Sequence, residues 1–480
     1  MPLVSVLRWA WVPDYWKKSS NNLQKLIALV LVATLANFAF TIRRSFAEPS
    51  KAEKYCSVTQ MRPLPGALNQ VPCFNSNSPE LVLKEGILLS TFPADNMKNP
   101  EAHLNYAFDG NFDIFSHHIA RNDSSEDQKT LYLGFIAFNP SNKRLRIQVL
   151  SGASYLSQPD APFLPLSEIK ENKDGSVFAG PGDRVSNDVL RGRLPSFLPR
   201  SFYIDPGQTR VFLSLPIPVR ELRPALNGRS TLIKLHSNGP LYLASLAKFS
   251  EKSDKSGPSD DEYLDLLYNG KLAGPRENQP SPPGQKGSIR YGRVSGVAKG
   301  SEWQGDFSEN KDYPDLKIAP AGDSISCPIS TVEGGSFGTG QVQSAELLRR
   351  YGDTAYAAHG NYGVRYRLSA VLRNPFEEPL SVQILFQSAL KSDEQSRRLC
   401  FLEGAPPRAF YRGTIAVDDG SGRKFWHLVL RQGSEGAKLA EFNLPPGQKR
   451  RVSLDFIYPA DATPPQEICI KTVRAKESED

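Results

Sequence analysis

The chain has 480 residues, 39% of them hydrophobic, and a formal net charge of +7. Its length exceeds what one hydrophobic core usually supports, and its apolar content excludes wholesale disorder. Residues 1–47 hold six of the 58 basic residues but one of the 51 acidic residues, so the rest of the chain is nearly neutral. Because that remainder shows no basic stripe with interleaved aromatic residues, the sequence argues against nucleic-acid binding.

The N-terminal segment is predicted to direct export. Residues 26–42 form a predominantly apolar run that follows three lysines and precedes Arg43 and Arg44. Ser45 and Ala47 give the small-x-small pattern of a signal-peptidase site, which predicts a cleaved signal peptide. The run also approaches the length of a membrane-spanning helix, so an uncleaved N-terminal anchor remains the alternative. Both alternatives predict a periplasmic, extracellular or cell-surface location.

The remaining chain is predicted to form two β domains and a linker. Residues 48–80 are an extended, proline-containing lead-in, followed by a first β-sandwich domain over residues 81–250. Residues 251–287 are rich in Ser, Asp, Pro and Gly, which indicates a linker, with one predicted short helix. A second β-sandwich domain follows over residues 288–475, and residues 476–480 are a charged tail.

One sequence unit occurs twice, centred on an Asn-Pro dipeptide. Residues 133–150 and 368–385 align without a gap, with six identical positions among eighteen. In each copy, a turn at Asn139-Pro140 or Asn374-Pro375 separates two segments with the alternation of β-strands. The pattern of strand, turn and strand predicts a β-hairpin in both places.

A second shared signature, P-G-Q-x-R, follows each copy at residues 206–210 and 446–450. A proline followed by glycine predicts a type II turn, because the glycine accepts the positive φ that this turn requires. Many short strands, frequent turns and the lack of long helical patterns predict an all-β fold. We expect two tandem antiparallel Ig-like β-sandwich domains with long loops and few short helices.

The cysteines permit two disulfide bonds in an exported chain of this kind. The local choices are Cys56 with Cys73, and Cys400 with Cys469. The alternative, in which most cysteines are free and buried, remains open. No C-x-x-C pair is present, so the sequence predicts neither a zinc site nor a redox pair of that type.

The first candidate binding residues precede the second Asn-Pro unit. His359, Asn361 and Tyr362 combine an imidazole, an amide and an aromatic ring on a glycine-rich backbone. Polar and aromatic side chains on loops suit the recognition of a glycan or a protein. The structural alternative is that these side chains form the turns and hydrogen bonds that hold the loop itself.

The second candidate set lies in residues 151–203, which are rich in Gly, Pro and Asp and are predicted to be a long loop. Asn187, Asp188 and Arg191 are its binding candidates, with the same structural alternative. Loops of this length within compact domains are usually functional. No catalytic residue, metal ligand or cofactor is predicted anywhere in the chain.

Several longer strings resemble a known family. They include N-D-V-L-R-G from Asn187, A-H-G-N-Y-G-V from Ala358, F-Y-R-G-T from Phe410 and Y-P-A-D-A-T-P-P-Q from Tyr458. The chain resembles, over residues 62–475, a family of exported cyanobacterial proteins of unknown function. The resemblance implies an exported envelope protein and brings no established activity or catalytic residue.

The leading expectation is a non-enzymatic envelope or cell-surface protein that acts by interaction. Its partner would be an envelope protein or a polysaccharide, and it would touch the membrane only through an uncleaved N-terminal segment. The first alternative is a carbohydrate-binding or carbohydrate-active protein with a cleft between its domains. The second alternative is an envelope chaperone that pairs an open sheet edge with its clients.

Overall fold

Extended strands form most of the regular structure of this chain, so the prediction of a mostly β fold is confirmed. The computed structural model describes residues 53–122, 129–250, 257–310, 312–394 and 397–475. The predicted export segment and charged tail lie outside these described residues. Within the described ranges, no helix is both long and apolar enough to cross a membrane.

The strands before residue 257 are, in chain order, β1 (Glu53–Val58), β2 (Gln60–Met61), β3 (Ala67–Leu68), β4 (Pro72–Ser76), β5 (Leu81–Val82), β6 (Gly86–Ser90), β7 (Phe108–Arg121), β8 (Thr130–Phe138), β9 (Leu145–Leu156), β10 (Ile169–Glu171), β11 (Ser201–Ile204), β12 (Thr209–Ile217) and β13 (Leu226–Ser250). The described helices are α1 (Pro181–Leu190), α2 (Asp260–Asn269) and a 3-10 turn at Pro100–Ala102.

The strands after residue 257 are, in chain order, β14 (Ser295–Lys299), β15 (Glu302–Phe307), β16 (Asp315–Lys317), β17 (Ser324–Ile329), β18 (Ala345–Arg350), β19 (Ala357–Ala358), β20 (Arg365–Arg373), β21 (Leu380–Ser388), β22 (Arg398–Glu403), β23 (Ala409–Asp418), β24 (Arg423–Arg431), β25 (Ser434–Leu444), β26 (Lys449–Ile457) and β27 (Gln466–Arg474).

These strands form three larger sheets and one small pair. The first sheet runs β11-β9-β13-β7-β4-β14-β18-β19, and the long β13 also pairs with β6 and β8, which in turn pairs with β12. The second sheet runs β10-β24-β23-β26-β20-β15-β3, with β16 also on β20. The third sheet runs β2-β17-β27-β21-β25, and β1 pairs with β22.

The two largest hydrophobic clusters among the described residues hold the sheets together. One core lies between the second and third sheets, where Tyr366 and Phe456 meet Ile384 and Ile470. The rings of Tyr366 and Phe456 stack with their centroids 5.1 Å apart. The other core is enclosed by the first sheet and its β6–β8–β12 branch. Removal of this apolar surface from water is the main force that stabilises the fold.

Strand pairing connects segments on both sides of the predicted linker. β4, from the predicted lead-in, pairs in parallel with β7 and antiparallel with β14. β10, from the predicted first domain, pairs with β24 of the predicted second domain. Lys54–Asp480 accordingly forms one compact unit. Composition marks a linker locally, but it carries no information about which distant strands pair.

The predicted linker also contains regular structure. Helix α2 begins with a capping box, in which Ser259 Oγ accepts from the Glu262 backbone amide and the Glu262 side chain accepts from the Ser259 amide. Tyr263 and Leu267 are its buried residues and pack against Ile87 and Leu246. The short helix expected in this segment is therefore present and is anchored to the first sheet.

Each Asn-Pro segment joins strands of different layers, so the hairpin prediction is wrong. β8 pairs with β12 and β13, whereas β9 pairs with β11 and a different part of β13. β20 pairs in the second sheet, and β21 pairs with β25 and β27 in the third. The segments are arches that cross a core. An arch and a hairpin share the pattern of strand, turn and strand, and only the distant partners distinguish them.

The first arch is closed by a buried asparagine and the P-G-Q turn. Asn139 Nδ2 donates to the carbonyl oxygens of Lys143 at 2.7 Å and Ile204 at 3.0 Å. The backbone amide of Gly207 donates to the Asn139 carbonyl at 3.0 Å, and the Asn139 amide donates to the Gln208 carbonyl at 3.1 Å. Gly207 has a φ of 67°, as the predicted type II turn requires.

The second arch repeats these hydrogen bonds. Asn374 Nδ2 donates to the carbonyl oxygens of Glu378 and Leu444, both at 2.8 Å. The Gly447 amide donates to the Asn374 carbonyl at 3.0 Å, and the Asn374 amide donates to the Gln448 carbonyl at 3.1 Å. The Asn-Pro and P-G-Q-x-R signatures are therefore parts of one structural unit. Each signature supplies hydrogen-bond partners to the other.

The cysteines pair differently from the local choices. Cys56 on β1 forms a disulfide with Cys400 on β22. Cys73 and Cys469, the predicted partners, are free and buried, as is Cys327. The correction has a topological cause, because β1 pairs with β22, whereas Cys73 lies on β4 and Cys469 on β27, inside other sheets. Proximity along the chain was the wrong guide to proximity in the fold.

Candidate functional site

A cavity of about 370 Å³ opens where β4 and the residues before β14 meet loops that follow β19, β21 and β26. We call it the central cleft. Aromatic, amide and basic side chains line it, namely Asn75, Asn77, Tyr291, Arg293, His359, Asn361, Tyr362, Lys391, Phe410 and Gln432. No carboxylate belongs to the described lining residues of this cleft. The first candidate set, His359, Asn361 and Tyr362, therefore lies together in one cavity.

Asn361 holds the shape of the loop that carries these residues. It is 1% exposed and has a φ of 49°, in the left-handed region that asparagine tolerates better than most residues. Its Nδ2 donates to the Gln343 carbonyl at 2.8 Å and to Tyr366 Oη at 3.1 Å. Its Oδ1 accepts from the Ala345 amide at 3.1 Å. The structural alternative considered for this residue accounts for all of these contacts.

His359 is a neutral group in this cleft. Its ring lies 4.9 Å from the ring of Tyr291, measured between centroids. Burial, with a smaller contribution from the nearby Lys391 charge, lowers the pKa of His359 to about 4. The imidazole is therefore uncharged near neutral pH and offers a hydrogen-bonding and stacking surface, without positive charge.

Tyr362 connects the cleft to the packed interior. Its Oη donates to the Ala462 carbonyl at 2.9 Å, and its ring stacks on Phe115 and Tyr458 at centroid distances of 6.4 and 6.1 Å. Burial raises the pKa of Tyr362 to about 12, so the phenol stays protonated. These contacts fix the ring in one orientation and make it a rigid wall of the cleft.

Tyr291 and Lys391 form the basic corner of the cleft. Lys391 Nζ donates a hydrogen bond to Tyr291 Oη and lies 4.7 Å from the centroid of the same ring, a cation–π arrangement. Tyr291 Oη in turn donates to the Glu333 carbonyl. Sequence reasoning missed both residues, because the two positions are far apart and neither belongs to a local motif.

Asn75 and Asn77 contribute two amide side chains to the lining of the cleft. Both side chains are buried, and their Oδ1 atoms accept no hydrogen bond from any described residue. An unpaired buried acceptor costs about 1–3 kcal/mol, so such atoms are uncommon without a functional or structural reason. Both residues line the central cleft, but these Oδ1 atoms are themselves enclosed by protein and do not open onto it.

The central cleft adjoins a second, more open cavity of about 860 Å³, which we call the side groove. The two share Asn77, Arg293, Tyr362 and Thr463. Arg293 forms ion pairs with Glu80 and, at 3.1 Å, with Glu277, so its charge is neutralised by its neighbours. The side groove therefore extends the central cleft along a wall on which Arg293 and Glu80 already form an ion pair.

The second candidate set does not line the central cleft. Asn187 and Asp188 lie in helix α1 and are buried, and Arg191 is the C-cap of the helix. Asp188 Oδ2 accepts from Tyr155 Oη at 2.7 Å, and Arg191 Nε donates to Asn187 Oδ1 at 3.0 Å. These residues hold the helix in place, which agrees with their structural alternative.

Helix α1 also corrects the prediction of one long loop over residues 151–203. Asp461, far away in sequence, stabilises the start of the helix because its Oδ2 accepts from the backbone amides of Gly182 and Asp183 at 3.0 and 3.1 Å. Negative groups are stabilised at helix N-termini. A cap supplied by a distant residue leaves no local signal, which is why the helix was not predicted.

Asp183 and His427 form a completely buried pair between α1 and β24. His427 Nε2 lies 2.7 Å from Asp183 Oδ2, and neither side chain is exposed. The same carboxylate oxygen accepts from the Ala179 amide at 2.7 Å. The pair ties the helix to the second sheet, outside the central cleft.

Within the described ranges, no set of three His, Cys, Asp or Glu side chains is arranged to hold a metal ion. No curated protein matches the chain. One family, described as "Protein of unknown function (DUF3370)", matches residues 59–472, which is most of the chain and includes every residue of the central cleft. The chain belongs to this family of unknown function.

Proposed function

We propose that this protein is a non-enzymatic binding protein of the cell envelope or cell surface that holds a segment of polysaccharide in the central cleft. One observation carries the proposal: three aromatic rings, of Tyr291, Tyr362 and Phe410, share a cleft with the amide side chains of Asn75, Asn77 and Gln432. Ligand sites typically combine such apolar walls with a few placed polar groups.

A sugar matches this lining in two respects. Its apolar C–H faces pack against aromatic rings, and its hydroxyl groups donate hydrogen bonds. Asn75, Asn77 and Gln432 bring amide side chains to the cleft lining, and amides exchange hydrogen bonds with hydroxyl groups. A few polar groups placed among apolar walls fix the orientation of a bound molecule.

The distribution of carboxylates supports binding over hydrolysis. A typical glycosidase needs two free carboxyl groups on either side of the scissile bond. The described lining of the central cleft holds none. In the side groove, Glu80 is paired with Arg293, and Asp461 accepts two amides of helix α1. Neither acid is free to act as a general acid or base.

Two further features support export and duplication. The Cys56–Cys400 disulfide fits an oxidising compartment such as the periplasm or the cell exterior. The matching arches at Asn139 and Asn374 support an origin in two tandem Ig-like sandwiches whose strands later became interleaved. In such a sandwich, an arch would lead the chain from one of the two packed sheets to the other.

The test is affinity electrophoresis of the full chain through gels that contain dextran, xylan, mixed-linkage β-glucan or polygalacturonate. The proposal predicts retardation by at least one polymer and its loss in Tyr291→Ala. The matched control is Tyr313→Ala, because Tyr313 is 62% exposed and lies outside the cleft. Retardation that is equal in both variants, or absent with every polymer, contradicts the proposal.

A further inference from the structure

We infer that the ligand of the central cleft carries an anionic substituent, which Lys391 recognises. This inference rests on the proposed binding function and specifies the chemical class of the ligand. It starts from the charges of the cleft lining. Two strong cations, Arg293 and Lys391, belong to that lining, and no described lining residue is acidic.

The two cations differ in their partners. Arg293 is paired with Glu80 and Glu277 and has little charge left to offer a ligand. Lys391 has no carboxylate partner among the described residues, and its ammonium group bonds to the hydroxyl oxygen of Tyr291. Lys391 is thus the cation of the cleft whose charge is available to a bound molecule.

Lys391 is also held in position before any ligand arrives. Its stem packs against Gly335, where an added Cβ would lie 2.5 Å from Lys391 Cε and 3.1 Å from Cγ. The loop of Gly335 is fixed to the loop of Lys391 because Asp393 Oδ1 accepts from the amide and the Oγ of Ser336, both at 2.7 Å. A long side chain that is already ordered loses less entropy on binding.

The contact between Gly335 and Lys391 gives the glycine-rich segment 334–340 a structural role. Its sequence lacks the lysine and the following helix of a phosphate-binding loop, so it does not cradle an anion with its own amides. Gly335 instead leaves the space that Lys391 occupies. The charge in this corner belongs to the lysine, because His359 beside it remains neutral near pH 7, its pKa being about 4.

An ammonium group is a compact point charge without the planar fork with which arginine selects carboxylates. Lys391 therefore fits either a uronic-acid carboxylate or a sulfate ester on the sugar chain, and the experiment has an arm for each. Because the lysine is exposed, the charge is screened, and we expect an effect of about fivefold in affinity.

The experiment is isothermal titration with two pairs of oligosaccharides. Each pair shares one skeleton: hexagalacturonate with its methyl ester, and a sulfated agaro-hexasaccharide with its desulfated form. The wild-type chain is expected to bind the charged member of one pair about fivefold more tightly than the neutral member. Lys391→Gln removes this preference, whereas Lys391→Arg and the remote exposed control Lys98→Gln retain it.

Gly335→Ala gives an independent check, because it displaces the lysine without altering any charge. We expect it to reduce the preference while leaving the neutral sugar bound. If Lys391→Gln binds both members and keeps the wild-type preference, the inference is wrong and the binding function stands. If the wild-type chain binds the charged and neutral members equally, or binds none of them, the inference is wrong, whereas the proposed function is decided by the polymer gels.

Discussion

The backbone amide of Gly207 donates a hydrogen bond to the carbonyl oxygen of Asn139 at 3.0 Å. The same bond joins Gly447 to Asn374 at the same distance. The Asn-Pro and P-G-Q signatures, although separated in the sequence, therefore form one hydrogen-bonded unit, which we call the clasp. The chain contains this clasp twice. Each clasp closes an arch across a hydrophobic core, which makes the buried asparagine the central residue of the unit.

Replacement of Asn374 by alanine should destabilise the protein strongly. The substitution removes two donated hydrogen bonds and one accepted from the Phe376 amide, and leaves the buried Leu444 carbonyl without this donor. We expect the free energy of unfolding to fall by about 2–4 kcal/mol. Urea unfolding measures it, with the exposed Asn443→Ala as control. Equal stabilities of the two variants would refute the structural role of the clasp.

Loss of the buried Asp183–His427 pair should lower the free energy of unfolding more than loss of an exposed ion pair does. His427→Leu leaves Asp183 buried without its imidazole partner, for which we expect a loss of about 3–5 kcal/mol in unfolding free energy. Lys438→Met breaks the exposed Lys438–Glu441 pair, and the expected loss is below about 1 kcal/mol. Thermal unfolding followed by circular dichroism compares them. A similar decrease in both variants would show that burial of the pair is unimportant.

Glu467 should make the protein less stable as the pH rises. The residue is fully buried, its Oε2 accepts from the Ala389 amide at 3.0 Å, and burial raises its pKa from 4.5 to about 8. Between these values the folded state binds the proton more tightly than the unfolded state. This contribution to stability is complete below about pH 4.5 and is lost as the pH rises through about 8.

Glu467→Gln removes this titration and keeps an acceptor for the Ala389 amide. We expect the wild-type free energy of unfolding to decrease, relative to the variant, by at most about 1.4 kcal/mol per pH unit in that window. Urea titrations at several pH values between 4.5 and 8 measure the difference. If the free energies of unfolding of the wild type and of Glu467→Gln change with pH in the same way, Glu467 does not titrate in this range.

The state of the cysteines can be counted chemically. Cys56 and Cys400 are joined, and Cys73, Cys327 and Cys469 are free and buried. We expect no rapid reaction with a thiol reagent in the native protein, and three reactive thiols after denaturation without reductant. After reduction and denaturation, all five cysteine thiols should react. Five thiols without reduction would exclude the disulfide, and one would require a second disulfide.

Local features of the fold followed directly from the sequence. The alternation predicted for the strand before Asn374 is present in β20, where Tyr366, Leu368, Ala370 and Leu372 share one face and are buried in the core. Such a pattern depends only on the two-residue period of a strand. The positive φ of Gly207 followed in the same way from the demands of a type II turn.

Features that depend on distant partners did not follow. The Asn-Pro segments gave the correct strands but the wrong connection, because hairpins and arches differ only in long-range pairing. The basic corner of the cleft joins Tyr291 to Lys391, and neither position carries a motif. His359 and Tyr362 were found because they lie together on one glycine-rich loop, which is a local signal.

The most direct test of the binding function is a crystal structure of the chain with a saturating oligosaccharide from the polymer that retards it. The account predicts sugar rings in the central cleft, packed against Tyr291, Tyr362 or Phe410, with a hydroxyl within hydrogen-bond distance of Asn75 or Asn77. Sugar bound elsewhere on the surface, with the central cleft free of it, would contradict the account.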